Sequence, residues 1–228
     1  MKKEMKELVN AIGGEKLFVE EVREAISIPA PRFQRIEVPV IGISPLVLNK
    51  MPHGTLEGIR RTQEAGAQAK SKKVRSQKDF EKCFRDATYR DKEGWCGVHA
   101  ASIRNACISA CRTAGFMMTR AKLALWVVAD GSDAETHEPL IRIWGPDPEM
   151  SVMHTRNANG NIDLRARPLW NSWRLNLNME FDADMLSKED IVNLLCRAGR
   201  QVGIGEGRPD SKKSCGLGFG LFKIEEGE

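Results

Sequence analysis

The sequence predicts an α+β fold, and the evidence is clearest in its last quarter. Residues 173–181 alternate strictly between apolar and polar side chains, which is the pattern of a strand with one buried face. Ser187 and Asp190 stand at capping-box spacing, so a helix is predicted over 187–199. A glycine-rich stretch follows, and 221–224 is predicted to form a short last strand. This order of helix, glycine-rich loop and strand is how a ferredoxin-like, or RRM-like, βαββαβ core ends.

Alternate glycines make the last loop unusual. They lie on either side of a short basic spacer and are Gly203, Gly205, Gly207, Gly216, Gly218 and Gly220. Glycine adopts positive φ and lets another backbone or a ligand come close, at a cost in conformational entropy. Nucleotide-binding loops run from a strand through glycines to a helix, so that phosphate meets the helix N-terminus. Here the helix comes before the glycines, which excludes those motifs.

The other predicted elements belong to one domain with two excursions. A helix is predicted at 98–113, and strands are predicted at 122–130 and 140–144. A β-hairpin with an Asn-Gly turn forms the excursion at 150–168. A basic insertion occupies 51–93, with little apolar periodicity and with helical character predicted around 78–85. Apolar residues at helical spacing predict a helical N-terminal arm over 1–30.

Composition places the chain among ordinary globular proteins. Its 228 residues are 41% hydrophobic and 29% charged. The sequence contains no run of about 18 apolar residues, the length that a membrane-spanning helix needs. We therefore expect a cytoplasmic protein with no membrane partner. The cysteines form no CxxC pair, which is typical of reduced thiols, and Cys107 and Cys111 are expected to face the core of a helix. No cofactor and no metal are predicted.

The basic charge is concentrated in one segment. The chain carries a net charge of +4, yet residues 50–92 contain 12 basic and 6 acidic side chains. This segment is therefore more basic than the whole protein, and a connection of its length is usually functional. A localised positive excess attracts a polyanion, and nucleic acid is the polyanion that we expect.

Four stretches carry a family resemblance. They are VPVIGISPLVLNK, GWCGVHAASIRNACISACRTAG, WRLNLNMEFDADMLSKEDIVNLLCRAG and the ending AGRQVGIGEGRP…GLGFGLFKI. Together they resemble the RAMP (repeat-associated mysterious protein) superfamily over 36–224, and within it the backbone subunits of CRISPR effector complexes or a stand-alone phage-encoded relative. The resemblance implies that 38–50 is the first strand of the domain. It also implies that the glycine loop follows the phosphates of a guide strand and that copies stack into a filament.

We therefore predict a protein that binds single-stranded RNA or DNA through its backbone, with little sequence preference. Motif positions in the resembled family implicate Lys50, Arg104, Gly203, Gly205 and Gly207. Location in the basic segments adds Arg60, Arg61, Lys70, Lys72, Lys73, Arg75, Lys78, Arg156, Arg165, Arg167, Arg208, Lys212 and Lys213. Tyr89, Trp95, Trp144 and Trp170 are the aromatic candidates for contact with bases, although a Trp in such a sheet is more often a core or subunit-contact residue. The expected partners are the nucleic acid, further copies of the chain joined head to tail, and other effector-complex subunits.

Two other functions stay open. Some proteins of the resembled family cleave RNA, and His53 and Asp91 are the acid–base candidates for an endoribonuclease. Acid–base catalysis needs both groups within hydrogen-bonding reach of one proton path, and no spacing in the sequence enforces that, so a non-catalytic protein is preferred. The other alternative is a phage protein that mimics or inhibits a CRISPR backbone subunit. Mimicry of nucleic acid itself would need an acidic excursion, and this one is basic.

Overall fold

The computed structural model describes residues 28–51, 53–64, 78–156, 162–211 and 216–225. The chain divides into two compact units, Met1–Ala30 and Pro31–Glu228. The predicted arm over 1–30 lies outside the described residues except for 28–30, which are irregular and exposed. The helices and strands of the described residues all belong to the second unit.

Helices and strands mix along this unit, so the predicted α+β class is confirmed. The strands in chain order are β1 (Phe33–Gly42), β2 (Leu46–Val47), β3 (Gly97–His99), β4 (Leu125–Val128), β5 (Gly131–Ser132), β6 (Pro139–Arg142), β7 (Glu149–Arg156), β8 (Ile162–Trp170), β9 (Arg174–Asp182) and β10 (Phe222–Ile224). The helices are α1 (His53–Glu64), α2 (Phe80–Asp86), α3 (Ala100–Ala114), α4 (Met118–Ala124) and α5 (Lys188–Arg197), and α5 continues into a π-helical turn, Ala198–Val202. Within the described residues the strands pair antiparallel and form three sheets.

The four-stranded sheet carries the core. Its strand order is β10–β1–β9–β4. The predicted alternation along β9 is confirmed, because Leu175, Leu177 and Met179 are buried while the side chains between them are not. These residues form one apolar cluster with side chains of α3 and α5, among them Ile103 and Leu195. A sheet face covered by two helices is therefore the hydrophobic core of this unit.

Helix α5 begins where the sequence predicts. Ser187 Oγ accepts the amide hydrogen of Asp190 at 3.1 Å, and the Asp190 carboxylate accepts that of Ser187 at 2.8 Å. Both halves of the capping box are therefore present, and two N–H groups at the helix start are satisfied. Ile191, Leu194 and Leu195 face the core, and the π-helical turn then delivers the chain to the glycines.

The two smaller sheets have the strand orders β2–β8–β7 and β3–β6–β5. The predicted hairpin is present as β7 and β8, although its Asn-Gly turn lies outside the described residues. It is less of an excursion than predicted, because β8 also pairs with β2, with Leu46 opposite Trp170. Trp170 is consequently in the core and only 1% exposed, as a Trp in such a sheet more often is, and its ring is not accessible to a base.

The predicted strand over 122–130 is wrong in its first part. Helix α4 extends to Ala124 and β4 starts at Leu125. The guanidinium of Arg104 donates to the carbonyl oxygens of Lys122 at 2.5 Å and Leu125 at 2.8 Å. Arginine commonly satisfies the last carbonyls of a helix in this way, so Arg104 stabilises the end of α4.

The described part of the 51–93 insertion is more ordered than the sequence suggests. It contains α1 and α2, and α2 starts at Asp79, whose carboxylate accepts the amide hydrogen of Lys82 at 3.0 Å. The helical character predicted for 78–85 is thus confirmed, with bounds of Phe80–Asp86. Residues 65–77, which hold four of the predicted cations, lie outside the described residues.

Cys107 and Cys111 lie on the buried face of α3, as expected. Both are 0% exposed, and the Cys111 thiol donates to the carbonyl oxygen of Cys107 at 3.3 Å. Burial raises the pKa of the Cys107 thiol to about 12, so this group stays protonated near neutral pH. A helix long and apolar enough to cross a bilayer does not occur in the described part of the chain.

Candidate functional site

The glycines pack backbone against backbone. Gly205 and Gly220 have φ values of 77° and 69°, which only glycine adopts without strain. A Cβ atom at Gly220 would collide with the carbonyl oxygen of Ile204, and one at Gly205 would collide with that of Val47. These two positions therefore need glycine for the fold itself.

Backbone hydrogen bonds hold the glycine loop, residues 203–208, in place. The amide of Ile204 donates to the carbonyl of Gly220 at 3.0 Å, and the amide of Gly220 donates to that of Pro45 at 2.7 Å. The amide of Glu206 donates to the carbonyl of Val47 at 2.8 Å. The loop is thereby joined both to the second glycine cluster and to the end of β2. It forms a rigid wall that side chains from elsewhere can face.

A cleft opens beside this wall, with a volume of about 410 Å³. We call it the glycine-loop cleft. Its lining comes from four places: the residues after β2, the approach to α3, one face of α3 and the glycine loop. The lining residues are Leu48, Asn49, Tyr89, Val98, His99, Ser102, Asn105, Ala106, Ser109, Val202, Gly203, Ile204, Gly205, Glu206 and Arg208.

Helix α3 presents a polar stripe to the cleft. Ser102, Asn105 and Ser109 are spaced by three and four residues, so they share one face of the helix. The helix starts beside the cleft because His99 is its N-cap, and Nδ1 of His99 accepts the amide hydrogen of Ala101 at 3.0 Å. Because Nδ1 accepts this hydrogen, Nε2 is the ring nitrogen left to donate.

Tyr89 and His99 form an aromatic pair in the lining. Their ring centroids lie 6.4 Å apart, with an interplanar angle of 64°. Desolvation by burial, with the negative charges of Glu138 and Asp133 nearby, raises the pKa of Tyr89 to about 12. The phenol is therefore neutral, and its hydroxyl donates a hydrogen bond to the carboxylate of Glu138.

The cleft carries little net charge. Arg208 donates from Nη1 to the carbonyl oxygen of Gly205 at 3.0 Å, which holds its guanidinium against the loop. The carboxylate of Glu206 accepts from Nε of Arg167 at 2.8 Å, and Arg167 is only 12% exposed. The negative charge of Glu206 is thus neutralised, and Arg208 is the cation of the lining.

Two cations implicated by the family resemblance have structural partners. The ammonium of Lys50 lies 2.7 Å from Asp133 and 2.9 Å from Glu135, and the Lys50 side chain is 5% exposed. Arg104 is held by the two carbonyls at the end of α4 and lies over the ring of Trp126, 5.7 Å from its centroid. Neither side chain belongs to the lining of the cleft, whereas Gly203 and Gly205 do.

The other predicted cations are dispersed. Arg60 and Arg61 are exposed on α1 and pair with Glu64 and Glu57 at one-turn spacing. Lys78 and Arg165 share the carboxylate of Asp163. The side chain of Arg156, and all of Lys70, Lys72, Lys73, Arg75, Lys212 and Lys213, lie outside the described residues. Among the predicted cations whose side chains the structure describes, only Arg208 lines the cleft.

Asp91, one of the two candidates for catalysis, contacts backbone amides. The carboxylate of Asp91 accepts the amide hydrogens of Glu93 at 2.9 Å and Ser132 at 3.2 Å, so it stabilises local turns. His53 begins α1, and its side chain lies outside the described residues.

Trp144 and Trp95 occupy a separate surface. The guanidinium of Arg142 lies 4.1 Å from the ring centroid of Trp144 and 5.9 Å from that of Trp95. Trp144 is 48% exposed, so its ring has a free area for stacking.

Three polar residues of the cleft were not predicted from the sequence: Asn49, Asn105 and Ser109. Only the helical spacing of the polar residues on α3 hinted at them.

A scan against protein families and a search of curated proteins returned no match to this chain. The function is therefore inferred from the chemistry of the site.

Proposed function

We propose that this protein binds single-stranded RNA or DNA and assembles head to tail, and that its core is ferredoxin-like and of the RAMP type. The glycine-loop cleft carries the proposal, because it gathers hydrogen-bonding side chains, an aromatic pair and one arginine beside a rigid loop. Single-stranded nucleic acid is bound by this combination of aromatic and polar contacts with cations along the backbone.

The topology supports the ferredoxin-like core. With the strands of the largest sheet numbered one to four in chain order (β1, β4, β9, β10), their spatial order is four, one, three, two. Helix α3 precedes the second of these strands and α5 lies between the third and the fourth, as in a βαββαβ unit.

The exposed cations support attraction of a polyanion. The side chains of Arg60 and Arg61 are 79% and 81% exposed, and exposed ion pairs contribute only about 0–1 kcal/mol, so phosphates can replace Glu64 and Glu57. Lys50 differs, because its carboxylate partner Asp133 is completely buried. Among the described residues, we therefore propose Arg60, Arg61, Lys78 and Arg165 as the phosphate contacts, and Arg208 as a ligand contact in the glycine-loop cleft.

Assembly is supported by the exposed hairpin. Met150 and Val152 on β7 and Leu164 on β8 are 40%, 49% and 47% exposed, and β7 is an edge strand of its sheet. Apolar side chains on an open edge favour contact with another chain.

Fluorescence anisotropy with an unstructured labelled oligonucleotide at low salt, together with size-exclusion chromatography and light scattering, tests the proposal. We expect saturable binding that weakens steeply with salt and an assembly larger than one chain. A monomer without affinity for RNA or DNA at low salt would refute it.

A further inference from the structure

We propose that the glycine-loop cleft binds one unstacked nucleobase rather than a phosphate. This inference rests on the proposed function, since it names the part of the ligand that the same site takes. The protein would then contact the phosphates of the strand outside the cleft and one base of the strand within it.

The charge of the lining favours a neutral ligand group. Strands are held through their phosphates by several cations. In the cleft Arg208 is already bonded to the carbonyl oxygen of Gly205, and Glu206 is paired with Arg167. Most of the lining is instead amide, hydroxyl, aromatic or aliphatic. A run of phosphates finds little compensation in such a place, whereas an uncharged heterocycle does.

The polar groups of the lining are available. Among the described residues, the side chains of Asn49, Ser102 and Asn105 make no hydrogen bond to the protein, although all three line the cleft. An asparagine amide offers both donors and acceptors, and a serine hydroxyl offers either. Base edges present the same mixture, and amide side chains bind them in known complexes.

The remaining lining suits the faces of a base. Tyr89 and His99 are partly exposed and supply the aromatic surface, whereas Leu48, Val98 and Ala106 border the cleft but are at most 3% exposed. A base that leaves its stack needs such surfaces around its ring. The volume of about 410 Å³ is within the range of roughly 300–1,000 Å³ for small-ligand sites, so the cleft is large enough for one base.

Strands with and without bases separate this inference from the proposed function. A 12-nucleotide adenine strand, a thymine strand and an abasic strand of equal length carry the same backbone. We expect the abasic strand to bind about tenfold more weakly than the better of the two base-bearing strands, since base contacts of this kind are strong. Ser102→Ala/Asn105→Ala should lose about tenfold for the base-bearing strand and nothing for the abasic strand. Asn176→Ala, on the exposed side of β9, is the matched control and should behave as wild type.

Each outcome decides between the two ideas. No binding of any strand at low salt refutes the proposed function. Equal binding of abasic and base-bearing strands by the wild type leaves that function intact and overturns the base site, and so does a double variant that still discriminates between them. The base chemistry is shared by a free nucleotide, so adenosine monophosphate is titrated as well. Saturable binding that the double variant loses would support the base site and identify its source as a free nucleotide.

Discussion

Replacing Lys50 with methionine should destabilise the protein strongly without weakening its binding to nucleic acid. In Lys50→Met the carboxylate of Asp133 stays completely buried but loses the ammonium at 2.7 Å. Removing one partner of a buried ion pair costs about 3–5 kcal/mol. Asp133 keeps four hydrogen bonds, from the amides of Arg90, Glu135 and Thr136 and from the Thr136 hydroxyl. We therefore expect the free energy of unfolding to fall by about 3 kcal/mol, near the lower end of this range.

Urea unfolding of the wild type, Lys50→Met and Lys50→Met/Asp133→Asn measures this loss. The double variant should recover part of the stability, because no charge remains buried and the asparagine oxygen still accepts the three hydrogen bonds now made to Oδ1. The hydrogen bond from the amide of Arg90 to Oδ2 is lost. A decrease below about 1 kcal/mol in Lys50→Met, well under the range for buried pairs, would refute the structural role. So would unchanged stability combined with weaker oligonucleotide binding, because that result would make Lys50 a direct contact.

The stability that the Lys50–Asp133 ion pair contributes, and that Lys50→Met removes, depends on pH. Burial acts to raise the pKa of Asp133, but Lys50 and the amides of Thr136 and Glu135 outweigh it, so the folded pKa lies below 3.8. Burial acts to lower the pKa of Lys50, but Asp133 and Glu135 outweigh it, so the folded pKa lies above 10.5. The pair thus stabilises the fold fully between these values. Its contribution disappears as the pH falls through the folded pKa of Asp133, or rises through that of Lys50.

Three further sets of variants test the packing of the glycines, the cap of α5 and the exposed arginines of α1. Gly220→Ala should lower the unfolding free energy by clearly more than Gly218→Ala. Both residues have positive φ, a conformation that costs alanine about 1–2 kcal/mol. Of the two, only Gly220 would also bring a Cβ atom into collision with backbone. Urea unfolding of the two variants measures the difference. Ser187→Ala should cost about 1 kcal/mol through the lost cap of α5, measured by thermal unfolding, and an unchanged midpoint would contradict the cap. Arg60→Ala/Arg61→Ala should reduce the slope of log affinity against log salt by about 1.4 if both arginines contact phosphate, and an unchanged slope would remove α1 from the interface.

Local patterns predicted the elements whose partners are near in sequence. The strand around Leu177 follows from alternation, and α5 follows from the reciprocal bonds of Ser187 and Asp190. Lys50 shows where such reasoning stops, because Glu135 lies 85 residues further along the chain. A lysine after a strand looks like a surface cation until its distant carboxylates are known.

The same limit applies to the cleft. The polar spacing of Ser102, Asn105 and Ser109 is visible in the sequence, but a solvated helix face has the same pattern. Only the fold places the glycine loop opposite this face. The base site therefore depends on a tertiary contact, whereas the capped helix before the loop does not.

The packing of the glycines separates the fold from the binding site. Gly205 and Gly220 must be glycine so that the carbonyls of Val47 and Ile204 can approach, and that requirement alone implies no ligand. What it creates is a fixed wall in which the amides of Ile204 and Glu206 already donate to carbonyl oxygens of the fold. We therefore expect the specificity of the cleft to come mainly from side chains on the opposite side. Substitution of a loop glycine should therefore lower stability first, while substitution of Asn105 should change ligand choice at constant stability. If instead both kinds of variant lost stability and binding together, the cleft would be part of the packing and not a site.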